Sequence, residues 1–282
     1  MHLAPDKHGS HGQLLLLAPP RVQVPDSFAG SRTDPRSHEH LLREMQKFRG
    51  RQYVEDGAIL PSDLSADGRH EVPVDRRAWH LLALDEQGQI CGSVRYVAHH
   101  NTVPFSQLGI QRAALARCFE WGTRLRMAVD SEVELARSRG VAYVEVGGWA
   151  LAPEIRHSVQ ALRMALATYG LARLLGGCIG ITTATERHCS AGILKRIGGA
   201  PLALGEDEFP LYYDPQYRCR MQILRFDSTQ LNPRFEPWVD ELAGYLETAP
   251  LIGTVPEKSS RSAEHATRAA WEWGQSLVRA AQ

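Results

Sequence analysis

The stretch Val144-Glu-Val-Gly-Gly-Trp-Ala-Leu-Ala-Pro153 decides how the chain is read. Its β-branched and aromatic residues suit a buried strand. Two features do not: a carboxylate, Glu145, and the Gly147-Gly148 pair, which weakens a strand interior and marks a bulge or a close approach. Pro153 then starts a turn. Residues 158–175 are good helix formers ending at Gly176-Gly177, so a strand, a turn and a helix follow one another.

Working outward, residues 178–184 read as the next strand, 190–197 as a short helix stopped by Gly198-Gly199, and 218–226 as a strand with alternating faces. Upstream, Trp79 to Val97 reads as two strands joined by a tight Asp85-Glu-Gln-Gly88 turn. Residues 105–139 carry one or two amphipathic helices, with Leu115, Phe119, Leu125, Val129, Val133 and Leu135 near helical spacing. Residues 38–53 read as a helix. The order predicts a mixed α/β sandwich, helices flanking a mixed sheet in three αβα layers.

Three zones are expected. Residues 1–37, interrupted by Pro5, Pro19, Pro20, Pro25 and Pro35, read as an irregular arm in which residues 14–18 form a short strand or a hydrophobic tether. Residues 38–228 form the body. Residues 229–282 read as a tail with helices over 235–246 and 263–280, whose apolar stripe suits packing on the body or a homodimer contact.

The 282 residues carry 32 Lys+Arg against 32 Asp+Glu, so no global field points to nucleic acid or a membrane surface. No run reaches the ~18 apolar residues of a spanning helix. Five scattered cysteines without Cys-x-x-Cys spacing fit reduced thiols in a cytoplasmic protein. Twelve histidines offer no third ligand at a metal-binding spacing, so no metal is expected.

The run from Val144 to Gly199 resembles motif A and its sequel in the GNAT acyltransferases, with Pro153-Glu-Ile-Arg156-His-Ser-Val-Gln160 in place of that family's loop at a helix N-terminus. A closer resemblance is to the acyl-homoserine-lactone synthases and the long-chain N-acyl amino acid synthases. It rests on Arg49-Gly-Arg-Gln-Tyr53, then Asp63, Asp67 and Asp75, then Gly88-Gln-Ile-Cys-Gly92-Ser-Val-Arg95, Phe105, and Glu145-Val-Gly-Gly148-Trp149. It spans residues 48–225. Tyr53 replaces that branch's phenylalanine, and Gly148 stands where the lactone synthases carry arginine. The resemblance implies a GNAT-like fold and acyl transfer from acyl-CoA or an acyl-phosphopantetheine thioester, the latter on an acyl carrier protein, to a small-molecule amine.

Such chemistry needs an acceptor for the proton lost on attack and donors for the oxyanion. Glu145 on an apolar strand, its charge disfavoured by burial, is the candidate base, and amides exposed by a bulge at Gly147 and Gly148 are the oxyanion donors. A structural reading stays open: Glu145 pairs with Arg95 or Arg49 inside the fold. Arg95 in turn holds Glu145, Asp75 or a substrate carboxylate. Arg49, Tyr53, Asp75, Arg95, Phe105 and Trp149 are the expected acceptor or acyl contacts. Ala150, Leu151, Arg156, His157, Ser158, Val159, Gln160 and Thr183 are the expected contacts of the thioester arm, since the free N–H groups and dipole of a helix N-terminus suit phosphate. Leu194 stands where many GNAT acetyltransferases carry a tyrosine acid, so a residue of Tyr212-Tyr-Asp-Pro-Gln-Tyr217 is the alternative donor to the leaving thiolate. The expected function is an N-acyltransferase acting on an amino-acid-like amine; the alternatives are an acetyl-CoA-dependent N-acetyltransferase and a non-catalytic module that binds an acyl ligand.

Overall fold

The computed structural model of the chain describes residues 13–254. Twelve strands and five α-helices follow in the order β1 (Gln13–Leu17), β2 (Ser31–Thr33), α1 (Pro35–Glu55), β3 (Trp79–Leu84), β4 (Ile90–His99), α2 (Gly122–Ser138), β5 (Ala142–Leu151), α3 (Val159–Leu174), β6 (Cys178–Thr185), α4 (Ser190–Ile197), β7 (Ala200–Pro201), β8 (Ala203–Leu204), β9 (Asp207–Glu208), β10 (Tyr212–Asp214), β11 (Cys219–Asp227), α5 (Glu236–Thr248) and β12 (Leu251–Gly253).

The main sheet runs β10-β11-β6-β5-β4-β3-β1-β12-β2, with β7 paired on β11. It is antiparallel except at β5–β6, β1–β12 and β12–β2. Side-chain alternation sorts its two faces. On β1, Leu14 and Leu16 join the core under α3 and α5, while Leu15 and Leu17 pack with Leu42 and Met45 of α1. From Leu14 to Leu17 that strand is apolar because both of its faces are covered. On β5, Ala142 and Val144 face α3, whereas Tyr143 packs on the opposite side with Leu125, Val129 and Val133 of α2.

The segment expected to be an irregular arm differs from that expectation. Gln13–Leu17 is an internal strand of the main sheet, and the helix after it starts at Pro35, where the Asp34 carboxylate caps Ser37. Pro19, Pro20 and Pro25 fall between these elements, and Pro35 opens α1. The tail also enters the fold: α5 lies against α3, closely enough that a methyl on Gly170 would sit 3.1 Å from the Ala243 nitrogen, and β12 joins the sheet between β1 and β2. The helix expected over 263–280 lies outside the described residues. Within 105–139, only Gly122–Ser138 is α-helical; 105–117 is a chain of three short 3-10 turns, and Phe119 projects fully into solvent. Pro104 and Gly109 break the helical periodicity there.

Two departures from sheet regularity open the site. The parallel β5–β6 pairing runs from Ala142–Cys178 to Val146–Thr182 and then stops, although β5 continues to Leu151 and β6 to Thr185. The strands splay beyond that point. On the other side of β5, Arg95 pairs Gly147 and Ser93 pairs Ala150, so β5 carries one extra residue. Gly148 takes φ 61° at this bulge, and a methyl there would lie 3.0 Å from Arg95 Cβ and 3.3 Å from Arg49 Nη1.

Candidate active site

A cavity of about 310 Å³ occupies the splay. The bulge and the β5 edge line it through Glu145, Gly147, Gly148, Trp149, Ala150 and Leu151; Tyr53, Arg95, Arg156, His157 and Thr183 line it as well. Arg49, Asp75, Phe105, Ser158, Val159 and Gln160 are not among its lining residues.

Arg49 and Asp75 form a strut behind the cavity wall. Arg49, 1% exposed, grips the Asp75 carboxylate in a two-pronged pair, with Nη1 3.0 Å from Oδ1 and Nη2 2.6 Å from Oδ2. Gln46 Nε2 donates to Oδ2 at 3.0 Å, and Arg95 Nη1 to Oδ1 at 3.1 Å. Burial would raise the Asp75 carboxyl, but the Arg49 hydrogen bonds and the Arg49 and Arg95 charges hold it well below the usual carboxylate range. Arg49 also donates to His70 Nδ1 at 3.2 Å, and His80 Nε2 donates to the Asp75 carbonyl at 2.8 Å. Burial, with Arg49 close by, brings His70 and His80 each down to about 4, so both are neutral at pH 7. The strut fixes Arg95, whose guanidinium lines the cavity and whose Nε is buried without a hydrogen-bond partner among the described residues.

Glu145 pairs with neither Arg95 nor Arg49. Its Oε2 accepts from His99 Nε2 at 3.0 Å and from the Gly109 amide at 2.8 Å, and its Oε1 accepts from the Ile110 amide at 2.8 Å. These bonds correct the expectation that burial disfavours its charge. Burial does push the carboxyl up, but the His99 hydrogen bond and the two amides outweigh it, and the group lies below its ordinary value of 4.5. Glu145 therefore remains ionised beside the cavity, and it pins the 3-10 turn that starts at Gly109.

The loop at the start of α3 is more occupied than the sequence implied. Arg156 gives Nη1 to Asp56 at 2.7 Å, Nη2 to Gln52 at 2.9 Å and Nε to the Leu151 carbonyl at 3.0 Å. Ser158 caps α3, accepting from the Gln160 amide at 3.1 Å, and thereby uses one of the N–H groups that a phosphate would meet. His157, at φ 58°, faces His188 across the splay with ring centroids 6.3 Å apart. The Thr182 to Thr185 strand end and Leu194 line the opposite wall.

Several further residues line the cavity. Arg112 and Arg77 reach the cavity from turns, and Tyr212, Asp214 and Tyr217 from the β10–β11 hairpin. Burial pushes the Tyr212 and Tyr217 phenols up, so both remain protonated proton donors. Among the described residues no group of three or more His, Cys, Asp or Glu could hold a metal ion, and no helix is long and apolar enough to cross a membrane.

No family model matches the chain, and no curated protein does. Solved structures do. A CoA-dependent acyl-homoserine lactone synthase, BjaI, with SAM and isopentyl-CoA, aligns over 92% of this chain and 98% of its own at 13% identity and a TM-score of 0.52. The same enzyme with MTA aligns over the same shares at 13% identity and 0.51. FeeM, an N-acyl amino acid synthase from uncultured soil microbes, aligns over 79% of this chain and 94% of its own at 12% identity and 0.43. The chain thus has the fold of the acyl-homoserine lactone synthase, and the GNAT-like mixed sheet flanked by helices is borne out.

Proposed function

We propose that this protein is an N-acyltransferase that moves an acyl group from a thioester to the amine of an amino-acid-like acceptor. The observation that carries the reading is the cavity at the β5–β6 splay, where an ionised carboxylate, a bulged strand and an arginine meet. The likeness to a synthase solved with isopentyl-CoA supports a thioester as the donor.

The acceptor amine attacks the thioester carbonyl, a C–N bond forms, and the thiolate leaves as the tetrahedral oxyanion collapses. The bulge frees an amide from the β4–β5 ladder beside Gly148 for that oxyanion. Glu145 remains the candidate base, with a narrowed role. Because it stays anionic, it attracts the acceptor's ammonium, passes one proton from it to water so that the free amine can attack, and takes up the second proton released as the C–N bond forms, again passing it to water. Three of its roughly four lone-pair positions are engaged, leaving one for the acceptor. Tyr212 or Tyr217 supplies a proton to the leaving thiolate.

On the donor side, Arg156 is committed to Asp56 and Gln52, and Ser158 covers one amide. The single phosphate of a carrier protein's pantetheine arm demands less of this loop than a CoA pyrophosphate does, which favours a carrier-protein donor. The test is incubation with acyl-CoA or acyl carrier protein and a mixture of amino acids, with mass spectrometry for N-acyl products. Amide product from either thioester, lost in Glu145→Gln, supports the reading. A bound but unreacted thioester points instead to a non-catalytic acyl-binding module.

A further inference from the structure

One carboxylate spans the mouth of the splay. Asp56 caps the C-terminal end of α1, and its Oδ1 meets a group from each side: Arg156 Nη1, in the turn after β5, at 2.7 Å, and His188 Nε2, in the turn after β6, at 3.3 Å. Arg156 Nη1 and His188 Nε2 lie 3.4 Å from each other. All three side chains line the cavity, and those of Asp56 and Arg156 are only 18% and 16% exposed.

Helix α1 gains nothing from an acid at this end. The C-terminal end of a helix carries partial negative charge and favours Lys, Arg or His, yet the last turn of α1 holds no basic residue and finishes on Glu55-Asp56. The turns that meet Asp56 are strained as well. His188 and Cys189 take φ 54° and 56°, and His157, next to Arg156, takes 58°. Non-glycine residues keep that left-handed backbone where their surroundings enforce it, and such positions gather at clamps and switches.

Without the carboxylate, a guanidinium edge and an imidazole would converge on one vacant oxygen position, which suits an anion. The proposed donor carries an anion of that kind, the phosphate at the head of its pantetheine arm, and the splay is where the arm enters. We infer that Asp56 is a built-in competitor for the donor's phosphate: its carboxylate plugs the anion position between Arg156 and His188, and the arm enters by displacing it. The inference rests on the acyltransferase reading and adds regulation to it. In the empty site Asp56 ties the ends of β5 and β6 to α1; in the loaded site the phosphate takes Arg156 and His188, and the end of α1 is released. Arg156 keeps its aim through the exchange, because Gln52 and the Leu151 carbonyl still hold its Nη2 and Nε.

Calorimetric titration of the full chain with CoA, whose free thiol has no acyl group to give, and with inorganic pyrophosphate tests the plug without turnover. Asp56→Asn keeps an oxygen for Arg156 and removes the charge. It is expected to bind both probes about five- to twentyfold more tightly than wild type, the scale of one like charge a few ångströms away at a partly buried position. The gain should shrink as salt rises from about 0.05 M to about 0.5 M, because the Debye length falls. Asp56→Glu, which keeps the charge, and Glu86→Gln, an equal change of charge in the exposed turn between β3 and β4, should bind as wild type does. Equal or weaker binding by Asp56→Asn makes Asp56 a strut and overturns the plug, and so does the absence of binding in both proteins. Should Asp56→Asn fail to fold, hydrogen exchange of the wild type decides: CoA is expected to speed exchange over residues 53–57, and unchanged or slower exchange there overturns the plug. Turnover is scored apart from binding. Tighter binding by Asp56→Asn with no N-acyl product from any thioester removes the acyltransferase reading and sustains the plug.

Discussion

Glu145 and His99 share a 3.0 Å hydrogen bond between Glu145 Oε2 and His99 Nε2, and the same carboxylate holds the Gly109 and Ile110 amides from the opposite side. One residue therefore joins β4, β5 and the turn at Gly109. The proposed base of the site and a fastener of its wall are the same side chain.

Replacing Glu145 by glutamine removes the charge and one acceptor while three donors still converge on it. The expected result is loss of turnover together with destabilisation of about 1–3 kcal/mol, the cost of a hydrogen bond to a charged group at a largely buried site. Chemical denaturation and product assays on one preparation check both. Unchanged stability would separate the fastening role from the catalytic one. The pH dependence has a definite sign. The Glu145 carboxyl is depressed in the folded state, so its stabilisation is complete above the unfolded value of 4.5 and is lost as pH falls through the lower folded value. The stability gap between wild type and Glu145→Gln should hold steady above pH 4.5 and close below it.

His70 and His80 act in the same direction for a different reason. Each falls to about 4 when folded, against 6.5 when free. The unfolded chain binds protons that the folded one refuses, so stability declines as pH drops from about 6.5 toward 4. His80→Gln, which keeps a donor for the Asp75 carbonyl, should flatten that decline. Urea titrations at half-unit steps between pH 7 and 4 measure it, and an equal slope in the variant would contradict the burial argument.

Arg49 tests the strut. Arg49→Met leaves the Asp75 carboxylate buried without its two-pronged partner, and breaking one member of a buried pair costs about 3–5 kcal/mol. The double variant Arg49→Met with Asp75→Leu should regain part of that loss, because the buried carboxylate goes with its partner, while Arg95 loses its own pairing to Asp75. Equilibrium denaturation of the three proteins measures the coupling.

Much of the architecture was legible because it rests on local signals. The Gly177 stop, the Ser158 cap and the alternation of β11 locate their elements to within a residue or two. The bulge was readable from Gly147-Gly148 because glycine takes the left-handed backbone found at Gly148 with the least strain. What could not be read is what depends on distant pairing. Residues 14–18 are five apolar residues among prolines, and nothing local says that β12, more than 230 residues later, will lie beside them. The partner of Glu145 was equally hidden: His99 stands 46 positions away, and the histidines of the sequence raised only the question of a metal. Arg112 carried no motif, since a lone arginine in a turn is ordinarily solvated. The phosphate loop was legible in position but not in occupancy, as the Asp56 and Gln52 contacts of Arg156 arise 100 and 104 residues away.

Gly148→Ala probes the bulge itself. The residue sits at φ 61°, where a side chain is strained whatever the space, and its methyl would press on Arg95 Cβ at 3.0 Å. Destabilisation of about 1–3 kcal/mol is expected from the backbone alone. The activity loss should exceed what that predicts, because Arg95 and the freed amide both shift when the strand resettles. Thermal denaturation gives the first quantity and kcat at a temperature well below the transition gives the second. A variant that is destabilised yet fully active would show that the bulge shapes the fold without presenting a donor to the reacting carbonyl. Gly147→Ala is the comparison: its methyl would meet only Arg95 Nη2, at 3.4 Å, so it should cost less stability while still disturbing the guanidinium that faces the cavity.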